Sequence, residues 1–134
     1  MLVPCEVAVK CVLPAIRSMI AKELTTKYEL KQTEAAKLLG LSQSAVSLYS
    51  SKMRGRAIDL EKDEDVTKLV GNITNALIEN DGVSYNDFVN SFCEICRIVR
   101  GKGLMCKLHK EFDPNIDIEN CRFCSIVASL CYKP

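Results

Sequence analysis

Tryptophan is absent from this chain, histidine occurs once, and aromatic residues reach only 6%. With so few large rings, the core must be mainly aliphatic. With a single imidazole, and no nucleophile paired to a base, the chain offers no hydrolytic or transfer machinery, so a non-enzyme is expected. Long hydrophobic runs are missing too. The most apolar early stretch, CVLPAIRSMIA, is broken by Pro14 and Arg17 and falls short of the roughly 20 residues that a membrane span requires. A charged leader with a cleavage site is also lacking, which gives the expectation of a cytoplasmic protein without a membrane partner. Glycine-rich phosphate cradles are absent: GKG at 101–103 is too short for one and reads as a helix stop. Period-2 alternation, internal repeats and low-complexity tracts are not found, so a sheet is not expected. Overall charge is balanced, with 18 Lys and Arg against 17 Asp and Glu.

What is present is unevenly distributed. The 134 residues suit one domain or two very small ones, and 48% hydrophobic with 26% charged residues is ordinary for a globular protein. Residues 1–56 carry 9 basic residues against 4 acidic ones, whereas residues 57–134 carry 9 against 13. A basic front half points to a polyanionic partner; a solvated mixed-charge face is the plainer alternative.

Apolar residues recur at three- and four-residue steps through most of the chain, which predicts an all-α fold. Val9, Val12, Leu13, Ile16, Ile20 and Leu24 mark a first helix over 5–27, which Pro14 must either begin or kink. Short helices are expected over 32–39 and 43–50. The polar stretch SSKMRGRAIDLEKDEDV follows and connects two regions, 1–58 and 59–134. Val66, Leu69, Val70, Ile73 and Leu77 mark the next helix, which runs to the Asp81-Gly82 turn. Ser84 is a suitable N-cap for a helix carrying Phe88, Phe92, Ile95 and Val99, with Asp87 as a weak capping partner. A short element near 104–110 and a final helix from about Glu119 complete the reading.

The most informative segment of the front half is QTEAAKLLGLSQSAVSLYS, residues 32–50. Two short helices crossing at a steep angle need small residues where they touch, and Ala35 and Ala36 stand there. Gly40 supplies the turn with a residue that accepts positive φ, and Ser42 can cap the second helix. Leu39, Leu41, Val46 and Leu48 or Tyr49 supply apolar contacts. The segment resembles the helix–turn–helix of lambda-repressor/Cro-like (Xre) regulators. The resemblance implies that the second helix enters the major groove of double-stranded DNA. It places Gln43, Ser44 and Ser47 toward base edges and Gln32 on a phosphate. Relatives usually cap the first motif helix with Thr or Ser just before that glutamine; Lys31 stands here instead. Gln can bond adenine in a bidentate manner and Ser can bond several bases. Lys52, Arg54 and Arg56, in SKMRGR, could neutralise the phosphate backbone.

The back half is dominated by thiols. Six of the eight cysteines fall between residues 93 and 131, together with the one histidine. Their spacing is Cys93-x2-Cys96, Cys106-x2-His109 and Cys121-x2-Cys124, followed by Cys131. Paired C-x-x-C units present thiolates to one centre and point to a metal site, with Cys93, Cys96, Cys106, Cys121 and Cys124 as candidate ligands. Zinc has the higher general frequency. FCEICRIV and NCRFCSIV, however, lack the Gly and Pro of zinc knuckles and look helical. There are also more thiols than one zinc needs. These features favour an iron–sulfur cluster, 4Fe–4S in particular, with zinc as the alternative. His109, Cys131 and Cys5 are further candidates, and Cys5 and Cys11 otherwise read as buried small residues. A thioredoxin-like pair would need a βαβ pattern, which is missing.

Taken with VPCEVAVKCVLPAIRSMIAKEL near the start, the whole arrangement resembles small archaeal Xre-like predicted transcriptional regulators. A similar N-terminal region occurs in archaeal regulators that carry a thiamine-phosphate-binding domain, for which this chain is too short. The resemblance implies a homodimeric, DNA-binding transcriptional regulator; together with the cysteine spacing it gives one that carries an iron–sulfur centre and responds to redox state or iron. The alternatives are a zinc-stabilised regulator without a sensing role, or a small electron-transfer protein.

Overall fold

The computed structural model describes residues 1–124, and among these it is helical with no strand. Cys131 and nearly all of the expected final helix lie outside the described residues. A continuous N-terminal helix is built from α1 (Pro4–Val7), one π turn (Ala8–Val12) and α2 (Leu13–Thr26). There follow α3 (Gln32–Leu39), α4 (Gln43–Ser50), α5 (Glu64–Glu79), α6 (Tyr85–Gly101) and α7 (Cys106–Phe112).

Pro14 neither begins the first helix nor interrupts it. The π turn lies immediately before it, and the Leu13 N–H donates to the Ala8 carbonyl five residues back. A proline ring crowds the carbonyl four residues earlier, and a widened turn gives that carbonyl room. The extra residue also rotates the register. Val12, Ile16, Ile20 and Leu24 follow one another at four-residue steps, whereas Val7 precedes Val12 by five, and all are fully buried. Val9, expected on the buried face from its spacing, is instead 58% exposed, because the wide turn swings it outward.

The other helices follow their sequence signals closely. Ser42 and Ser84 accept hydrogen bonds from the Ala45 and Asp87 amides, and Asp63 caps α5 by accepting from Val66. Val66, Val70, Ile73 and Leu77 of α5 are buried, as are Ile95 and Val99 of α6. Phe88 and Phe92 are only half-buried. Lys102, at the C-terminal end of α6, bridges Asp63 at 2.9 Å and Asp65 at 2.7 Å, tying the ends of the α5–α6 hairpin together. The expected helix start at Glu119 is not observed. Residues 118–120 form a turn, Cys121 and Arg122 are irregular, and helix is described only from Phe123. Asp117, accepting from Asn120, holds that turn closed.

One apolar core runs from Val7 through α2, α4, α5 and α6 to Cys124. Helix α2 is its axis, packing against both α4 and α5, while α1 packs against α7. Ile58, at the expected regional boundary, packs against the same core.

Candidate functional site

The first group of candidate residues surrounds α4. Ala35 and Ala36 are buried where α3 meets α4, with Val46 and Tyr49 on the facing side. Side chains no larger than methyl allow that close crossing. Gly40 ends α3 in the left-handed region at φ 66°, the conformation that glycine accepts without cost. Lys31 gives α3 no side-chain cap. Instead the Glu34 carboxylate reaches back to accept from the Lys31 amide at 3.2 Å, which is half of a capping box. Helix α4 is fixed from behind by Ser18 of α2, whose hydroxyl donates to the Tyr49 carbonyl at 2.8 Å.

This support leaves the N-terminus of α4 facing outward. Gln43 and Ser44 are exposed, while Ser47 and Gln32 are half-buried. The structure brings Gln32 and Gln43 together, the Gln43 amide donating to the Gln32 side-chain oxygen at 2.6 Å. Ser44 lies 3.2 Å from the Ser42 hydroxyl.

The basic loop is less uniform than its sequence implies. Arg54 lies over the Tyr49 ring, 5.8 Å from its centre, and Arg56 is exposed. Lys52 turns away to an ion pair with Glu61 at 2.9 Å, to which Lys22 adds a contact at 3.5 Å. The hydrogen bond from Lys52, with both lysines' charge, holds the Glu61 carboxyl below the usual range despite some burial. Gly55 seats the loop on α2: it has φ 78°, and an added Cβ would lie 2.4 Å from the Pro14 carbonyl oxygen.

The second group is the thiols. Cys93 and Cys121 are exposed, Cys96 and Cys106 half-buried, and Cys124 buried; each is a free thiol. Burial pushes the Cys96 thiol up to about 11, with Cys5 and Cys93 adding to the rise and Arg100 opposing it. Burial likewise raises Cys106, helped by Cys124 and Cys121. Cys5 and Cys93 thus lie near Cys96, and Cys121 and Cys124 lie near Cys106.

Arg100 joins the sets. Only 5% exposed, it approaches the Cys5 sulfur at 3.9 Å and lines the same cavity as Cys124. It lines a groove of about 340 Å³ that contains Cys5, Cys93 and Cys96. It also lines an apolar cavity of about 460 Å³ that contains Cys106, Cys121 and Cys124. Among the described residues, no three Cys, His, Asp or Glu side chains are gathered as a metal-holding group.

No family model matches the chain, nor does any curated protein or solved structure.

His109 is not oriented toward the thiols through its Nε2. That nitrogen lies 2.7 Å from the Leu2 carbonyl, an acceptor, so it carries the proton and donates. The Asp113 carboxylate accepts from the Leu2 amide at 3.2 Å. His109 and Asp113, both buried, thus grip the backbone of one residue from two sides. Sequence reading missed this clamp. The four-residue spacing of His109 and Asp113 was visible, but nothing local revealed a partner more than 100 residues away. Arg100 was also missed, since an arginine in a helix of mixed character looks like a solvent-facing residue.

Proposed function

We propose that this protein is a sequence-specific DNA-binding transcriptional regulator, with α4 as its reading helix and its C-terminal cysteines as an iron–sulfur site. The observation that carries the reading is the exposed start of α4. Gln43 is held there by Gln32 and backed by Ala35, Ala36 and the Ser18–Tyr49 bond. A short helix supported on its rear face, with amide and hydroxyl groups at its free N-terminus, fits the major groove and can read base edges. Gln32 spends its side-chain oxygen on Gln43 and keeps its own amide to donate to a phosphate. Arg54 and Arg56 supply backbone charge. In a two-fold dimer, two such helices would need to lie roughly 34 Å apart to enter successive grooves.

The thiol region suits an iron–sulfur centre in donor chemistry. Cys96 and Cys124 lie in apolar surroundings beside the Arg100 guanidinium, and soft thiolates near a cation are a suitable setting for an anionic cluster. In the free chain, burial keeps the Cys96 proton in place; metal binding would displace it. Bringing Cys93, Cys96, Cys106, Cys121 and Cys124 onto one centre would require their segments to close further, because α6, α7 and the 117–124 turn each carry some of them. The bound centre would supply a redox-sensitive cross-link between those segments.

Two measurements test this reading. Selection of binding sequences from random duplexes should yield one preferred site, with affinity falling steeply as salt increases. Protein isolated without oxygen should contain iron and acid-labile sulfide. Equal affinity for all duplexes would overturn the DNA reading. A colourless protein with one zinc per chain would replace the cluster by a structural metal.

A further inference from the structure

We infer that Cys5 is a ligand of the thiol centre. This rests on the reading of the cysteines as a metal site and extends the ligand set to the first helix.

Cys5 is far from the other cysteines in sequence but not in the fold. Its sulfur lies 3.9 Å from the Arg100 guanidinium across a separation of 95 residues. The same arginine lines one cavity with Cys124 and forms part of the wall beside Cys93 and Cys96. Cys5 is exposed, so the core does not require it as filler. Cys11 behaves in the opposite way: it is 2% exposed, its charged neighbours are Lys10 and Glu111, and packing accounts for it.

The backbone around Cys5 is also held in place. Leu2 is gripped by His109 and Asp113 of the α7 region, and α7 begins at Cys106. Val3 caps α1 with its amide donating to Glu6 at 3.4 Å. Cys5 therefore enters on a helix whose start is fastened to the element that carries Cys106. Ligands on elements fixed to one another lose less conformational freedom on binding than ligands on free segments. His109 uses its Nε2 proton to fasten Leu2. That bond positions the start of the helix that carries Cys5.

A bond from Cys5 to the centre would tie it to the DNA-facing side. Helix α1 continues through the π turn into α2, and Ser18 of α2 holds α4 through Tyr49. Gain or loss of the centre would then act on the support of the reading helix.

The test compares oxygen-free preparations of wild type, Cys5→Ala, Cys5→Ser, Cys96→Ala and Cys11→Ala. Iron, acid-labile sulfide and zinc per chain are measured with the visible and electron paramagnetic resonance spectra, and circular dichroism checks folding. Cys5→Ala and Cys96→Ala should both fall to less than about half of the wild-type metal content. Cys5→Ser should show an altered spectrum, whereas Cys11→Ala should match wild type. Wild-type metal content and spectrum in folded Cys5→Ala, with loss in Cys96→Ala, would overturn the assignment of Cys5 alone. A wild-type protein free of iron and zinc would overturn the metal site and this inference together.

Discussion

The Gln43 side-chain amide donates to the Gln32 side-chain oxygen across 2.6 Å, joining the first residues of α3 and α4. The bond fixes the amide plane of Gln43 before any partner arrives, so less freedom is lost on binding. Gln43→Ala should remove discrimination at the base it reads, a cost of about 1–3 kcal/mol. Gln32→Ala should relax the same position through its neighbour and also weaken binding to all sequences. Affinities for a panel of single-base variants of the selected site would show both effects, and unchanged preference in both mutants would refute this placement of α4.

The basic loop should divide by function. Arg54→Ala and Arg56→Ala should each weaken binding across all sequences and reduce the salt dependence by about one charge. Lys52→Ala should do less, because its ammonium is engaged with Glu61 at 2.9 Å. Titrations at several salt concentrations separate these cases. An effect of Lys52→Ala as large as that of Arg56→Ala would mean that the ion pair opens on DNA.

Gly55 cannot carry a side chain in this conformation. Left-handed backbone costs a residue with a Cβ about 1–3 kcal/mol, and at φ 78° the added carbon would also overlap the Pro14 carbonyl. Gly55→Ala should therefore destabilise the fold by at least that amount in urea unfolding. It should also impair DNA binding beyond the stability loss, because the loop that presents Arg54 is displaced.

Acid should loosen the α5–α6 hairpin. The hydrogen bond from Lys102 holds the Asp63 carboxyl below its ordinary value of 3.8, with the Val66 amide next in effect. The folded-state value lies below the unfolded one, so the stabilisation is complete above the ordinary value and fades as pH falls through the folded one. Asp63→Asn retains a cap and should flatten the acid limb of the stability curve. Asp63→Ala loses the cap as well and should cost about 1 kcal/mol at neutral pH.

Local chemistry revealed much of this fold in advance. Ser42, Gly40 and Ser84 act through neighbours a few residues away, and their roles as caps and turn were legible from the sequence. The faces of α5 and α6 were likewise written in their apolar spacing. Val9 was misplaced because spacing arguments assume a uniform turn, and one wide turn shifts every residue before it. The clamp on Leu2, the place of Arg100 and the approach of Cys5 depend on contacts between the two ends of the chain. No short-range pattern encodes those. The helix start expected at Glu119 failed for a local reason: Asp117 and Asn120 close a turn that competes with helix.

The N-terminal helix carries one residue more than an ordinary spiral would need between Val7 and Val12. Such a surplus widens one turn while the buried face continues on either side. Deleting Val9, which is turned outward, would leave Val7 and the former Val12 four apart and still facing inward. The fold thus contains a place where its length can change by one while both ends keep their address, although the Pro14 ring would then meet the carbonyl that the wide turn now spares.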